Sequence, residues 1–181
     1  MTDWLNPKIE WHETVFQNRY QQIRRVTAQF DDLTKEYFVT DVGHKAGVVA
    51  VKDGHILLVR QYRLLINGLS YEIPGGKVED GEDPAAAASR ECLEETGIQC
   101  VNLHPLLSYQ ASLDTRHNPS HLFYCNEIAE EQQTETIQQD EVSGSVWLPL
   151  DRCIDMIFQQ EIIDAFTIVA LLTYRTSKIG Q

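Results

Sequence analysis

The chain lacks any apolar run of the roughly 20 residues that a membrane-spanning helix needs, so the sequence predicts no membrane partner. Cysteine is scarce. Cys92, Cys100, Cys125 and Cys153 form no CxxC pair, and their spacing suits no common zinc site. Reduced, structural thiols are the expectation, as in a cytoplasmic protein. The six histidines contain no HExxH pattern, and Pro119 separates His117 from His121, which argues against one shared helix. Ser108, Ser112 and Ser120 lie in no nucleophile elbow. Positive charge is also in short supply, with 15 Lys and Arg against 27 Asp and Glu, a net charge of −12. Nucleic-acid binding needs a basic face, so no nucleic-acid partner is expected. An anionic substrate would need a cation between it and such a chain. The opening stretch MTDWLNPKIEWHE is polar and acidic and predicts no secretory signal.

What is present is ordinary globular composition over 181 residues, enough for one sizeable core. No repeat or low-complexity linker interrupts it. Residues 14–41 read as β-rich, although the alternation from Thr14 to Phe30 is imperfect. Tyr37–Val42 is a further strand candidate. Gly47–Val51 and Ile56–Val59 flank Asp53-Gly54, the signature of a tight hairpin turn. Ser70–Ile73 is a short strand that stops at Pro74. A helix follows, with Asp83 as N-cap, Pro84 in its first turn and Gly97 as C-cap. Val101–Leu107, His121–Cys125 and Ser145–Leu148 read as strands, and Asp151–Phe158 and Ile162–Tyr174 as helices. Strands and helices mix without regular βαβ alternation, which predicts an α+β sandwich rather than a doubly wound fold.

The chemistry concentrates in residues 75–98, GGKVEDGEDPAAAASRECLEETGI. On the helix, Glu91 and Glu95 are four apart and Glu94 is three beyond Glu91, so all three lie near one face. Like charges at this spacing repel, and Arg90 cannot neutralise three carboxylates. Clustered oxygen donors on a rigid element suit a hard divalent cation such as Mg2+. A solvated acidic face is the plain alternative. The neighbouring Gly75-Gly76 allows a tight turn and close backbone approach to a ligand.

These residues resemble the Nudix box, G-x5-E-x7-R-E-U-x-E-E-x-G-U with U a bulky apolar residue. Gly76, Glu82, Arg90, Glu91, Cys92, Glu94, Glu95, Gly97 and Ile98 stand at every required spacing, with Cys92 the one soft departure. The resemblance implies a Nudix-like α/β/α sandwich with a mixed sheet. It also implies hydrolysis of a nucleoside diphosphate linked to another group, with Mg2+ or Mn2+ as cofactor. Glu91, Glu94, Glu95 and the carbonyl of Gly75 are implied as metal ligands. Glu82 and Arg90 would brace the loop against the helix, while Gly76 and Gly97 are structural.

The resemblance runs on into the ADP-ribose and nucleoside diphosphate sugar pyrophosphatase branch through Gln61-Tyr62-Arg63 and Glu72–Lys77. It implies a β-rich N-terminal subdomain over residues 1–43, commonly exchanged in a homodimer, and a catalytic domain over 44–181. Arg63 would contact a substrate phosphate. Glu141, after Asp140, would serve as general base or further metal ligand, and Glu91 shares the catalytic role. Ser112-Leu113 stands where that branch usually has Pro-Gly, so this loop should differ in shape. The expected reaction is metal-dependent cleavage of an ADP-ribose-like nucleoside diphosphate sugar to nucleoside monophosphate and sugar phosphate. Cleavage of a dinucleotide cofactor or dinucleoside polyphosphate, or nucleotide sensing without hydrolysis, are the alternatives. The net negative charge fits this picture. Residues 72–98 hold eight acids and two bases, and residues 127–141 hold six acids and no base, which accounts for the whole excess.

Overall fold

The computed structural model describes residues 6–129 and 142–177. Three strands open the chain, β1 (Lys8–Gln17), β2 (Gln22–Phe30) and β3 (Leu33–Asp41). Then come β4 (Lys45–Lys52), β5 (His55–Arg63), β6 (Gly68–Glu72), β7 (Gly75–Lys77) and helix α1 (Pro84–Thr96). β8 (Cys100–Val101), β9 (His104–Gln110), β10 (Arg116–His117), β11 (Pro119–Cys125), β12 (Glu127–Ile128) and β13 (Val142–Pro149) follow. Helices α2 (Leu150–Phe158) and α3 (Ala165–Thr176) complete the described chain. It divides into two compact units. One runs to Gly43 and takes in Gln110–Pro119; the other holds His44–Tyr109 and the chain from Ser120 onward.

The first unit is a four-stranded sheet in the order β1-β2-β3-β10, with β10 parallel to β3. The uneven pattern between Thr14 and Phe30 has two causes. The Asn18 side chain accepts the N–H groups of Tyr20 and Gln21 at 2.9 and 3.0 Å and turns the chain between β1 and β2. In addition, the β1–β2 register shifts on either side of Thr14, which resets which side chains face inward. Val26 and Ala28 are buried, while Ile9, Trp11, Val15, Phe16 and Phe38 stay half-exposed.

The second unit is a mixed seven-stranded sheet covered by helices on both faces. Its order is β13-β5-β4-β11-β9, with β6 added to β5 and β7 to β4. β11 runs parallel to β4, whereas β13 and β6 are antiparallel to β5. Ala46, Val48, Ala50 and Leu57 pack on Ala87, Ala88 and Cys92 of α1. Val49, Ile56 and Leu58 point the other way, against Met156 of α2 and Phe166, Ala170 and Leu171 of α3. Cover on both faces explains why β4 and β5 read as continuous apolar runs rather than alternating ones. The expected α+β sandwich is therefore the observed one. The β4–β5 turn has both Asp53 (φ 50°) and Gly54 (φ 74°) in the left-handed region, as its Asp-Gly sequence requires.

Three elements differ from their sequence expectation. The last helix begins at Ala165, not Ile162, because the Asp164 carboxylate caps it by accepting the Thr167 N–H at 2.8 Å. The stretch from Val101 to Leu107 is broken by Asn102 at φ 54°, leaving β8 and β9. Gly75-Gly76 is not a turn but the start of β7, paired with Gly47 and Ala46 of β4. All four thiols are free and buried.

Candidate active site

Helix α1 positions the acidic residues. Asp83 accepts the N–H groups of Ala85 and Ala86, Pro84 fits the first turn, and Gly97 at φ 74° ends the helix. On this frame Arg90, Glu91, Glu94 and Glu95 follow in one turn and a half.

Glu95 is buried, and the protein holds both of its carboxylate oxygens. The Gly75 N–H donates to Oε2 at 3.0 Å, and the Gln61 side-chain amide donates to Oε1. Burial pushes Glu95 up to about 7, and the neighbouring Glu91 carboxylate adds to the rise. The Gly75 N–H, Gln61 and Lys45 pull against it without cancelling it. Glu91 is also raised, first by burial and further by Glu94 and Glu82, with Arg90 opposing.

Two glycines let these carboxylates approach the sheet. A Cβ at Gly76 would stand 2.5 to 2.6 Å from the Glu91 carboxylate carbon and oxygens. A Cβ at Gly75 would stand 2.4 Å from the Ala46 carbonyl oxygen. The glycines thus serve close packing, with β7 threaded between β4 and α1.

Arg90 ties the loop to the helix. Its Nε and Nη2 donate to Glu82 at 2.9 and 3.1 Å, and Nη2 also donates to the Lys77 carbonyl at 3.0 Å. Nη1 donates to Glu91 at 2.8 Å and to Glu94 at 3.3 Å. Bonding to Glu82 is the chief reason that Arg90 is held protonated and Glu82 below the usual carboxylate range. An open cavity of about 720 Å³ lies against this network, lined by Glu79, Asp80, Gly81, Glu82, Arg90, Glu91 and Glu94. One guanidinium faces five carboxylates there, inside the size range of small-molecule sites.

Among the described residues no three acidic, histidine or cysteine side chains converge as a ready ligand group. Glu91 nevertheless raises the cost of ionising Glu95, Glu94 does the same to Glu91, and Glu94 stands on the more exposed side. An all-oxygen donor set with uncompensated negative charge fits a hard divalent cation.

Arg63 is placed differently from a bare phosphate-binding cation. Its Nε and Nη2 grip the buried Glu72 carboxylate at 2.7 and 2.5 Å, beside an apolar cavity of about 360 Å³. Glu141 and Asp140 lie outside the described residues. The next residue, Val142, sits opposite Gln61 in the β13–β5 ladder. Ser112-Leu113 falls in the Gln110–Pro119 segment of the first unit, with Leu113 fully in solvent.

Three residues in this network were not site candidates from sequence. Gln61 follows Leu57 and Val59 on the α1 side of β5, so its signal was a buried polar group at an inward position. Lys45, on β4, lies over the Phe166 ring at 4.3 Å and attracts Glu95. Thr167, wholly buried, contacts the backbone just before Gly75 and had no local signal.

A NUDIX domain model matches residues 43–166. The chain belongs to the Nudix family. As a Nudix pyrophosphohydrolase it places Glu91, Glu94 and Glu95 on one helix beside the Gly75-Gly76 strand. Among curated relatives, it is 30% identical to a methanol dehydrogenase activator of Bacillus methanolicus, covering 82% of this chain and 84% of that one. It is 28% identical to an ADP-ribose pyrophosphatase of Bacillus subtilis, over 76% of this chain and 75% of the relative. Among solved structures, an ADP compounds hydrolase superposes with a TM-score of 0.76 at 20% identity, covering 93% of this chain and 92% of that one. That likeness establishes the shared Nudix fold.

Proposed function

We propose that this Nudix protein hydrolyses the pyrophosphate bond of a nucleoside diphosphate sugar, of which ADP-ribose is the first candidate. The products would be a nucleoside monophosphate and a sugar phosphate. The observation that carries the reading is the gathering of Glu91 and Glu95 against Gly75-Gly76, with both carboxylates pushed above their ordinary range. The likeness to the Bacillus subtilis ADP-ribose pyrophosphatase, across three quarters of each chain, supports the substrate class.

Glu91, Glu94, Glu95 and the Gly75 carbonyl are the proposed ligands of Mg2+ or Mn2+. The chemistry such a cation supplies is charge neutralisation on the pyrophosphate and activation of a water. The chain's own residues do the rest. Gln61 and the Gly75 N–H hold Glu95 in one orientation. Arg90 fixes Glu91 while locking the Lys77–Glu82 loop to the helix. Glu141 is the proposed general base, which must come within hydrogen-bond reach of the attacking water. Arg63 is proposed to meet a substrate phosphate only by loosening its pair with Glu72. The catalytic domain is proposed to be residues 44–181 and the active particle a homodimer through the β-rich segment 1–43.

The deciding experiment incubates the protein with Mg2+ and a panel of ADP-ribose, GDP-mannose and a dinucleotide cofactor, and identifies products by mass spectrometry. AMP and ribose 5-phosphate from ADP-ribose, lost on chelation, is the expected result. The dinucleotide is included because Ser112-Leu113 replaces the Pro-Gly expected of the ADP-ribose branch. Binding without turnover across the panel would overturn the hydrolytic reading.

A further inference from the structure

β6 joins β7 through Ile73-Pro74, which runs straight into Gly75, and both backbone N–H groups of this stretch have partners. The β5–β6 ladder ends at Glu72, so the Ile73 N–H has no strand partner. It donates instead to the Thr167 hydroxyl oxygen of α3 at 3.1 Å. Pro74 has no N–H, and its carbonyl accepts the Val48 N–H at 3.1 Å. The Gly75 N–H then donates to Glu95 at 3.0 Å. The two donors of this joint therefore reach in opposite directions, one to α3 and one to the acidic helix α1.

The Thr167 hydroxyl has a defined direction. Its proton goes to Asp164 Oδ2 at 2.7 Å, and the same carboxylate oxygen accepts the Thr167 backbone N–H at 2.8 Å. A carboxylate offers only acceptors, so the hydroxyl must donate to it. Its lone pair is thereby left facing the Ile73 N–H. Thr167 is 0% exposed, so no water can replace it from solvent. The α3 N-cap thus does two things: it starts the helix and it turns one hydroxyl into a dedicated acceptor for the joint.

We propose that Thr167, oriented by Asp164, is a positioning residue for the active site. It sets the place of Ile73-Pro74, hence of the Gly75 N–H, and through that hydrogen bond the orientation of Glu95. The proposal rests on the reading of Glu95 as a metal-binding carboxylate and adds the device that aims it. Pro74 fixes one backbone angle of the joint, and the chain beside it is closely packed: a Cβ at Gly75 would stand 2.4 Å from the Ala46 carbonyl oxygen and one at Gly47 2.5 Å from the Phe166 ring. A displacement at Ile73 is therefore passed on to Gly75 rather than absorbed.

The test compares wild type, Thr167→Val, Thr167→Ser, Thr167→Cys and Glu95→Gln. The readouts are Mn2+ affinity from electron paramagnetic resonance without substrate, kcat and KM for ADP-ribose, and Tm. Valine keeps the shape and loses the acceptor, serine keeps it, and a thiol is a poor one. The expected result for Thr167→Val is a loss of about tenfold to a hundredfold in Mn2+ affinity and kcat with KM nearly unchanged. Serine should restore both. If the valine variant fails to fold, the cysteine variant is read by the same criteria. Wild-type Mn2+ affinity and kcat in a folded valine or cysteine variant would overturn the proposal, as would a fall in Tm alone. Full turnover in Glu95→Gln would instead overturn the reading of the site on which it rests.

Discussion

Glu95 has two protein donors on its carboxylate and still sits near 7, because the desolvation cost of the ion exceeds what those donors return. Its sign in a stability profile follows. The folded-state value lies above the ordinary 4.5, so folding takes up a proton between the two. The stability tied to the neutral form is present below about pH 4.5 and is lost as pH rises through about 7, by about 3 kcal/mol for a shift of this size. Without divalent cations, the wild type should therefore lose more Tm than Glu95→Gln between about pH 5 and about pH 8. Mg2+ should raise the wild-type Tm at the upper end of that range and hardly at the lower end. Parallel melting curves for the two proteins across the range would refute the assignment. In turnover assays Glu95→Gln should be inactive while its circular dichroism matches wild type.

At the scale of elements, β7 and α1 act as a pair, and their glycines separate packing from chemistry. Gly76→Ala first meets the Glu91 carboxylate, at 2.5 to 2.6 Å, the end of a side chain that can move. It should leave Tm nearly unchanged yet lower kcat by about tenfold or more, because Glu91 is pushed from its place. Gly75→Ala meets the Ala46 carbonyl and the Gly47 Cα, which cannot move without breaking the β4–β7 ladder. It should cost a few kcal/mol, as overpacking does, and show first as a lowered denaturation midpoint. Equal effects of the two substitutions on stability would contradict this division. The helix cap is a simpler case. Asp83→Ala removes the acceptor for two first-turn N–H groups and should cost about 1 kcal/mol by urea denaturation.

For the whole molecule, charge and apolar surface are distributed unevenly. The acid excess falls wholly within residues 72–98 and 127–141, so an anionic substrate meets the chain most favourably where a cation can intervene. The first unit leaves Ile9, Trp11, Phe16 and Phe38 about half-exposed, more apolar surface than a small sheet can cover by itself. Light scattering should report a particle of twice 20.7 kDa. A particle of single-chain mass at micromolar concentration would sink the homodimer. Among the described residues no helix is long and apolar enough to cross a membrane.

Local signals were enough for several features because the interactions behind them are local. Asp83, Pro84 and Gly97 delimit α1 through bonds within one turn of the chain. Asp53-Gly54 specifies its hairpin through backbone angles that only certain residues adopt readily. The spacing of Arg90, Glu91, Glu94 and Glu95 implies one helical face, and the fixed pattern around it implies the family. The rest depends on residues that are far apart in the chain. Gln61 reaches Glu95 across 34 positions, and Thr167 reaches Ile73 across 94. Gly75-Gly76 was legible as a place of close approach but not as a strand, since its partner β4 lies nearly thirty residues earlier. From sequence Arg63 reads as a phosphate contact, and its pair with Glu72 becomes visible only when the β5–β6 hairpin brings the two side chains together. Sequence alone determined which residue types lie on which local face, because backbone geometry and side-chain chemistry are short-ranged. Tertiary structure decided which of those groups are buried, braced or opposed, because desolvation and long-range hydrogen bonds exist only once the sheet and its two helical layers have assembled.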